Sequence, residues 1–212
     1  MAASSRRVGA ETSKTRDTLL DCVETMMIEE GYASVTYRAL AAKAGVTPSL
    51  VQYYFPALDD IFIAAISRYS QRNLAFLNKI LDKRTEDPLR ALWEYNWDEA
   101  TGVLMTEFMA LGNHRKSIRA EIAKVTESAR KIQLDALTAK FGKDARPVGD
   151  LSLPALQLLI SSLPKFLNLE KGIGVQTAHA ELTKVFEDYL DLVEPRTTKS
   201  PAARRRTKKA GS

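Results

Sequence analysis

Cysteine and histidine are scarce in this 212-residue sequence: Cys22 is the single cysteine, and His114 and His179 are the two histidines. One cysteine excludes an internal disulfide and any cysteine-based metal cluster. The two histidines stand far apart and lack a neighbouring cysteine, so they do not have the spacing of a zinc site. We therefore expect neither a metal ion nor another cofactor.

Long apolar runs and alternating strand patterns are also missing. No stretch of eighteen apolar residues occurs, and the N-terminus lacks the apolar centre of a signal peptide. With 45% hydrophobic and 27% charged residues, the composition is that of an ordinary globular protein. These features predict an all-α protein that does not enter a membrane and is cytoplasmic.

Acidic residues are absent from the last seventeen positions, 196–212. That segment carries seven basic side chains, whereas residues 1–195 hold 24 basic and 26 acidic groups, a net charge of −2. The formal charge of +5 therefore belongs to a basic tail. Its composition predicts disorder.

Recognisable enzyme motifs are missing as well. The sequence has no glycine-rich phosphate loop, no nucleophile elbow and no paired histidines of the HExxH type. We expect the protein not to be an enzyme.

The most informative segment is Val35 to Phe55, which reads as two short helices joined by one glycine. Thr36 can cap the first helix, and Gly45 can end it in a left-handed conformation. Thr47 and Pro48 then provide a second N-cap and a first-turn proline. So short a connection is typical of a helix-turn-helix.

The second helix of this pair would leave polar side chains on its outer face, namely Thr47, Ser49, Gln52 and Tyr53. Hydroxyl, amide and phenol groups suit hydrogen bonds to phosphates and base edges. The alternative is a short connector helix in an all-α protein, but the order of cap, glycine, second cap and aromatic run favours DNA binding.

These residues resemble the DNA-binding segment of the TetR family of bacterial transcriptional regulators. The match consists of Thr36-x-Arg38-x-Leu40-Ala41-x-x-Ala44-Gly45-Val46, then Thr47 and Tyr53-Tyr54-Phe55. The resemblance implies that the second helix enters the major groove, with Thr36, Thr47 and Tyr54 at or near the DNA backbone. Candidate DNA-binding residues are therefore Thr36, Arg38, Thr47, Pro48, Ser49, Gln52, Tyr53 and Tyr54.

Two positions depart from the pattern of that family. Gln52 stands where a phosphate-contacting tyrosine is most common, and Leu58 stands where a lysine usually opens the fourth helix. Because these departures remove expected phosphate contacts, a second interpretation stays open: a helical small-molecule- or partner-binding protein that has lost specific DNA binding.

Helical periodicity continues beyond the helix-turn-helix, which gives about nine helices in all. We expect a flexible basic arm (1–12), a three-helix DNA-binding domain (13–56), a helical ligand-binding and dimerisation domain (57–195) and the basic tail (196–212). Predicted helices after Phe55 cover about 57–83, 88–112, 118–141, 153–169 and 177–193, with Thr177 as the cap of the last one.

The helix after Pro88 is dense in large aromatic and methionine side chains, which suits an adaptable apolar pocket. Candidate ligand-binding residues are Trp93, Trp97, Met105, Phe108, Met109, His114 and Phe166, although for each residue taken singly ordinary core packing is the better explanation. By the family resemblance, the last two helices would form a homodimer across a two-fold axis. The expected function is that of a repressor, bound to a palindromic double-stranded DNA operator and released by a small apolar effector.

Overall fold

The computed structural model describes residues 2–99, 103–147 and 149–195, and the side chains of 14–97, 104–147 and 149–195. The described residues form nine α-helices and one short 3-10 turn, and none of them forms a β-strand. The predicted all-α class is confirmed. No helix in these ranges is both long enough and apolar enough to span a bilayer.

The first four helices follow the predicted order. They are α1 (Ala2–Glu30), α2 (Tyr37–Ala44), α3 (Pro48–Tyr54) and α4 (Leu58–Lys83), with the 3-10 turn Tyr32–Ser34 between α1 and α2. Helix α1 begins at Ala2, so the residues expected to form a flexible arm continue the first helix. Its early turns contain alanine and no proline, which permits helical backbone there.

Helix α4 begins at Leu58 because the Asp60 carboxylate reaches back and accepts a hydrogen bond from the Ala57 amide, at 2.8 Å. This is half of a capping box. The acidic first turn, Asp59 and Asp60, also complements the positive end of the helix dipole.

The predicted helix 88–112 corresponds to two elements of the structure, α5 (Pro88–Glu99) and α6 (Val103–Gly112). Residues 100–102 between them lie outside the described residues.

The last three helices are α7 (Lys116–Phe141), α8 (Leu153–Gly172) and α9 (His179–Val193). Thr177 does not cap α9: the cap position is Ala178, in a left-handed conformation with φ of 63° and no side-chain cap. His179 Nε2 contacts Glu170 Oε2 at 2.7 Å. This contact fixes the first residue of α9 against α8, and the helix therefore starts two residues after Thr177.

The chain forms two compact units. One comprises Met1–Lys79 and Gly102–Ile132, and the other Ile80–Thr101 and Gln133–Ser212. The core of the first unit joins α1–α4 with α6 and the start of α7; its fully buried side chains include Leu19, Met27, Leu40, Val51, Ile61, Phe62, Phe108 and Ile118. The compact unit that contains the helix-turn-helix is therefore larger than residues 13–56.

The second unit is built around α5, which packs extensively against α8. Its buried apolar side chains include Leu89, Leu92, Trp93, Leu137, Leu153, Leu156, Ile160 and Leu190. Polar groups are buried there too: Gln157 donates to Gln133 Oε1 at 2.7 Å, and Ser161 donates to the same oxygen at 2.9 Å. These bonds join α7 to α8.

Candidate nucleic-acid interface

Helix α2 has the two ends that its sequence predicts. The Thr36 side chain accepts a hydrogen bond from the Ala39 amide at 3.2 Å, which pairs one of the free N–H groups of the first turn. Gly45 takes a left-handed conformation with φ of 68°, and the Val46 amide donates to Ala41 O at 3.0 Å. The chain therefore turns sharply after one glycine.

Helix α3 restarts within two residues. Thr47 accepts from the Leu50 amide at 3.3 Å and lies 3.0 Å from the Ser49 hydroxyl. Pro48 occupies the first turn, where its missing N–H leaves no unpaired partner. All four predicted boundary residues of the helix pair thus have the expected roles.

Buried apolar side chains and one phenol hold α3 against its neighbours. Leu40, Val51 and Phe55 are at most 2% exposed. The Tyr37 hydroxyl lies 3.0 Å from Phe55 O and 3.0 Å from Pro56 O, and it can donate to these carbonyls. Burial, followed by the Asp60 charge, raises the pKa of Tyr37, so the phenol keeps its proton. Tyr37 therefore helps to fix the end of α3, a role that the sequence pattern does not reveal.

The outer face of α3 is polar and accessible. Tyr53 is 74% exposed, and its ring packs edge-on against Tyr54, with 5.3 Å between centroids. The structure places all of the DNA-binding candidates on α2 and α3 or at their caps. Seven of them are exposed and Tyr54 is half-buried; the exposed ones are Thr36, Arg38, Thr47, Pro48, Ser49, Gln52 and Tyr53.

Cations near this surface differ in their availability. Lys43 binds Glu29 at 2.8 Å, and this hydrogen bond is the main cause that raises the pKa of Lys43. Arg16 lies over the Phe55 ring, 5.1 Å from its centroid, a cation–π contact that the sequence did not predict. No salt bridge within the described side chains engages Arg38. Arg38 can therefore reach a phosphate without breaking an ion pair.

Comparison with known proteins identifies this helical arrangement. Residues 19–65 match the family described as bacterial regulatory proteins, tetR family. This range includes both caps, the left-handed glycine and the exposed face of α3. Residues 19–65 are therefore a DNA-binding segment of the TetR type, with the helix-turn-helix that the sequence pattern predicted.

A curated relative of this chain is the HTH-type transcriptional repressor BepR of Brucella suis biovar 1 (strain 1330). It is 27% identical over 178 residues, which span 77% of this chain and 83% of the relative. The similarity therefore extends beyond the DNA-binding segment.

Solved structures share the fold. The reduced form of E. coli NemR matches with a TM-score of 0.66 and 16% identity, over 88% of this chain and 100% of that one. A transcriptional regulator from Saccharomonospora viridis, crystallised with choline, matches with a TM-score of 0.63 and 16% identity, over 84% and 96%. At such identities the likeness concerns the TetR-like fold alone.

The ligand-binding candidates fall into three environments. Trp93 and Trp97 are in edge-to-face contact in the second unit, with 5.6 Å between their centroids. Phe108 belongs to the core of the first unit, beside Tyr69, and Met105 is half-buried. The remaining three candidates are exposed; they are Met109, His114 and Phe166. Of these, His114 belongs to the first unit. The two tryptophans thus form a packed aromatic pair in the second unit.

A groove of about 460 Å³ lies in the first unit between α1 and α4. It is polar, with Arg16, Asp17, Asp60 and Arg68 among its lining residues. None of the ligand-binding candidates lines it. Arg68 is already bound to Glu24, at 2.8 Å. The groove therefore does not match the apolar pocket that the sequence predicts.

Proposed function

We propose that this protein is a repressor that binds a palindromic operator as a homodimer and releases the DNA when a small apolar molecule binds. The observation that carries the proposal is the exposed polar face of α3, held between two capped turns. Ser49, Gln52 and Tyr53 can donate to and accept from base edges and phosphates. The name of the relative BepR, a repressor, supports repression as the direction of control.

An apolar surface supports the dimer. Helices α8 and α9 expose large apolar side chains, several of them to about half or more of their area: Leu158, Leu159, Phe166, Leu169, Leu182, Val185 and Leu192. Extended apolar patches of this kind mark interaction surfaces. We assign them to a second copy of the chain, because two DNA-binding heads are what a two-fold operator requires.

Release by a ligand requires unequal affinity for two conformations. In our proposal the effector binds more tightly to a state in which the two α3 helices no longer match their half-sites. The choline complex of the Saccharomonospora viridis regulator supports the idea that this fold accommodates small molecules. For this chain, the packed pair Trp93 and Trp97 is the best-supported part of the candidate pocket.

A DNA-binding titration at several salt concentrations, combined with footprinting on the upstream region of the gene, tests DNA recognition. We expect a protected palindrome. Gln52→Ala and Tyr53→Ala should each weaken operator binding while leaving the unfolding midpoint unchanged. Gln176→Ala is the matched control, since Gln176 is an exposed glutamine in the α8–α9 connection. Binding without a footprint would favour a helical binding protein that has lost specific recognition.

The dimer has its own test. Val185→Glu places a charge on the exposed apolar face of α9, where Val185 is 60% exposed. We expect this variant to sediment as a monomer and to lose operator affinity. Ser128→Glu adds the same charge at an exposed position of α7 and should remain dimeric. A dimeric Val185→Glu protein would exclude this face as the interface.

A further inference from the structure

Helix α5 contains three buried polar atoms without a hydrogen-bond partner. They are Arg90 Nε, Trp93 Nε1 and Asn96 Oδ1, and within the described side chains no other buried nitrogen or oxygen is left unpaired. Their spacing of three residues makes them neighbours on the helix surface. Because buried polar groups are nearly always paired, their concentration on one helix calls for an explanation.

Arg90 is largely satisfied by α9. Its Nη2 donates to Asp191 Oδ1 at 2.6 Å and to Glu194 O at 3.1 Å. The positive charge is therefore balanced within the unit. Trp93 and Asn96 have no comparable compensation and remain the two groups available to another molecule.

The geometry of Asn96 identifies what it needs. Its side chain is fully buried, and its Nδ2 donates to Leu92 O at 2.8 Å. This bond fixes the amide orientation, since only the nitrogen can donate to a carbonyl. The remaining Oδ1 requires a donor. Trp93 Nε1, on a side chain that is 3% exposed, is a donor only and requires an acceptor.

The surroundings of Trp93 are aromatic. The Trp93 ring stacks on Phe186 with 4.4 Å between centroids and 26° between planes. Trp97 meets the same Trp93 ring edge-on, at 5.6 Å and 87°. A flat apolar body fits such surfaces.

We propose that Trp93 Nε1 and Asn96 Oδ1 form the polar end of the effector site, and that the effector is a neutral aromatic or other flat apolar molecule with a hydroxyl group. The inference rests on the proposed function, in which a small apolar molecule releases DNA. One hydroxyl oxygen accepts from Trp93 Nε1 while its hydrogen donates to Asn96 Oδ1. The same group thus satisfies both atoms.

Other polar groups satisfy only half of this pair. An ether oxygen accepts from Trp93 but offers no hydrogen to Asn96. A carboxylate also accepts from Trp93, but it places a negative charge beside an acceptor oxygen inside a buried site, which is unfavourable. The site should therefore distinguish a hydroxyl compound from its methyl ether and from its carboxylate.

Both polar atoms are shielded from solvent in this structure, so a ligand must bind a rearranged state of the unit. The state without ligand leaves two buried groups unpaired, and the bound state pairs them. This difference gives a hydroxyl compound the unequal affinity for two conformations that a population shift requires.

The test uses 2-naphthol, 2-methoxynaphthalene and 2-naphthoate as matched probes for the full-length protein. The sequence has two tryptophans, so a spectrum of ¹⁵N-tryptophan-labelled protein shows two indole N–H signals, and Trp97→Phe assigns the Trp93 signal. We expect 2-naphthol to move the Trp93 indole proton downfield. Calorimetry should show that it binds at least tenfold more tightly than either analogue.

Two variants identify the groups responsible. Asn96→Leu and Trp93→Phe each remove one polar atom and leave an apolar side chain in its place, and each should reduce the preference for 2-naphthol to less than twofold. Asn78→Leu, at an exposed asparagine of α4 in the first unit, is the matched control and should keep the preference. Equal binding of the three probes by the wild type, failure of 2-naphthol to bind, or an unchanged preference in a folded Asn96→Leu protein would overturn the assignment.

The probe-binding measurements contain no DNA, and a separate operator titration with protein saturated by 2-naphthol measures release. The site and the proposed function are therefore tested independently. A protein that prefers 2-naphthol but keeps its operator affinity when saturated has the hydroxyl site, while release by ligand is refuted. A protein that binds its operator but shows no hydroxyl preference remains a regulator, while the hydroxyl site is refuted.

Discussion

The carboxylate of Glu107 accepts a hydrogen bond from the backbone amide of Tyr32, with 2.7 Å between Oε2 and N. These residues are 75 positions apart. Glu107 lies on α6 and Tyr32 opens the 3-10 turn that leads into α2. Helix α6, which lies outside the predicted helix-turn-helix, therefore fixes the position of the chain just before α2 begins.

We expect Glu107→Ala to lower the free energy of unfolding by about 1–2 kcal/mol, because it leaves the Tyr32 amide without its acceptor in a partly buried position. Glu107→Gln keeps an acceptor oxygen and should cost less. Urea unfolding of the two variants measures the difference. Equal losses would show that the carboxylate charge, rather than the hydrogen bond, stabilises this contact.

Gly45→Ala tests the turn between α2 and α3. A Cβ at Gly45 would meet no atom within 4 Å, so the strain comes from φ of 68° alone, and we expect a cost of about 1–2 kcal/mol. Operator affinity should fall as well, because α3 cannot keep its place when the turn relaxes.

Gly172→Ala is the matched control for this substitution. Gly172 also has open space around the position of a Cβ, but it lies within α8 and its φ is not left-handed. There alanine should be neutral or stabilise the protein by up to about 1 kcal/mol. A similar loss at both glycines would contradict the assignment of the Gly45 effect to backbone strain.

Glu194 should make stability depend on pH. Its carboxylate accepts from the Leu89 and Arg90 amides at 2.9 and 2.8 Å, yet burial outweighs these bonds and raises the pKa of Glu194 above 4.5. The folded protein thus binds this proton more tightly than the unfolded chain does. The resulting stabilisation is fully present below the unfolded pKa and is lost as pH rises through the folded pKa.

Glu194→Gln removes this titration. The stability of the wild type relative to the variant should therefore decrease as pH rises from about 4 to about 7. Thermal unfolding of both proteins across that range provides the measurement. A relative stability that rises with pH would mean that the two amide bonds outweigh burial.

Removal of residues 196–212 tests the basic tail, which lies outside the described residues. Its seven cations should neutralise DNA phosphates in a way that does not depend on sequence. Without the tail, the slope of log affinity against log salt should become shallower by about 0.9 for each phosphate that is no longer neutralised. Base preference, measured with mutated operators, should stay the same. An unchanged slope would exclude a role for the tail in DNA binding.

Local chemistry made the helix-turn-helix predictable. The two caps, Thr36 and Thr47, each accept from an amide three residues further along the chain. Gly45 and Pro48 act through their own backbone conformation. Because all of these effects are local, the spacing of the residues in the sequence is enough to predict them. The start of α9 was not predictable in this way. Thr177 has a suitable side chain, but a contact between His179 and Glu170 decides where the helix begins.

The buried polar groups of the second unit could not be predicted, for a similar reason. Asn96 was not identified, since a single asparagine in an apolar helix shows no pattern before its burial is known. In the first unit, Glu107 contacts a backbone amide, which has no residue-specific signal. Apolar side chains were also ambiguous: Phe166 was expected in a pocket but is 57% exposed, on the face that we assign to the dimer.

The shared core of the first unit limits how this regulator can be recombined with others. Side chains from α6 and α7, including Leu104, Phe108, Ile118 and Ile122, complete the core beneath α1–α4. An exchange of residues 1–79 alone would transfer the DNA-binding helices without the side chains from α6 and α7 that complete their hydrophobic core. Recombination of this segment with other proteins is therefore constrained. New operator specificity is more accessible through point substitutions on the exposed face of α3.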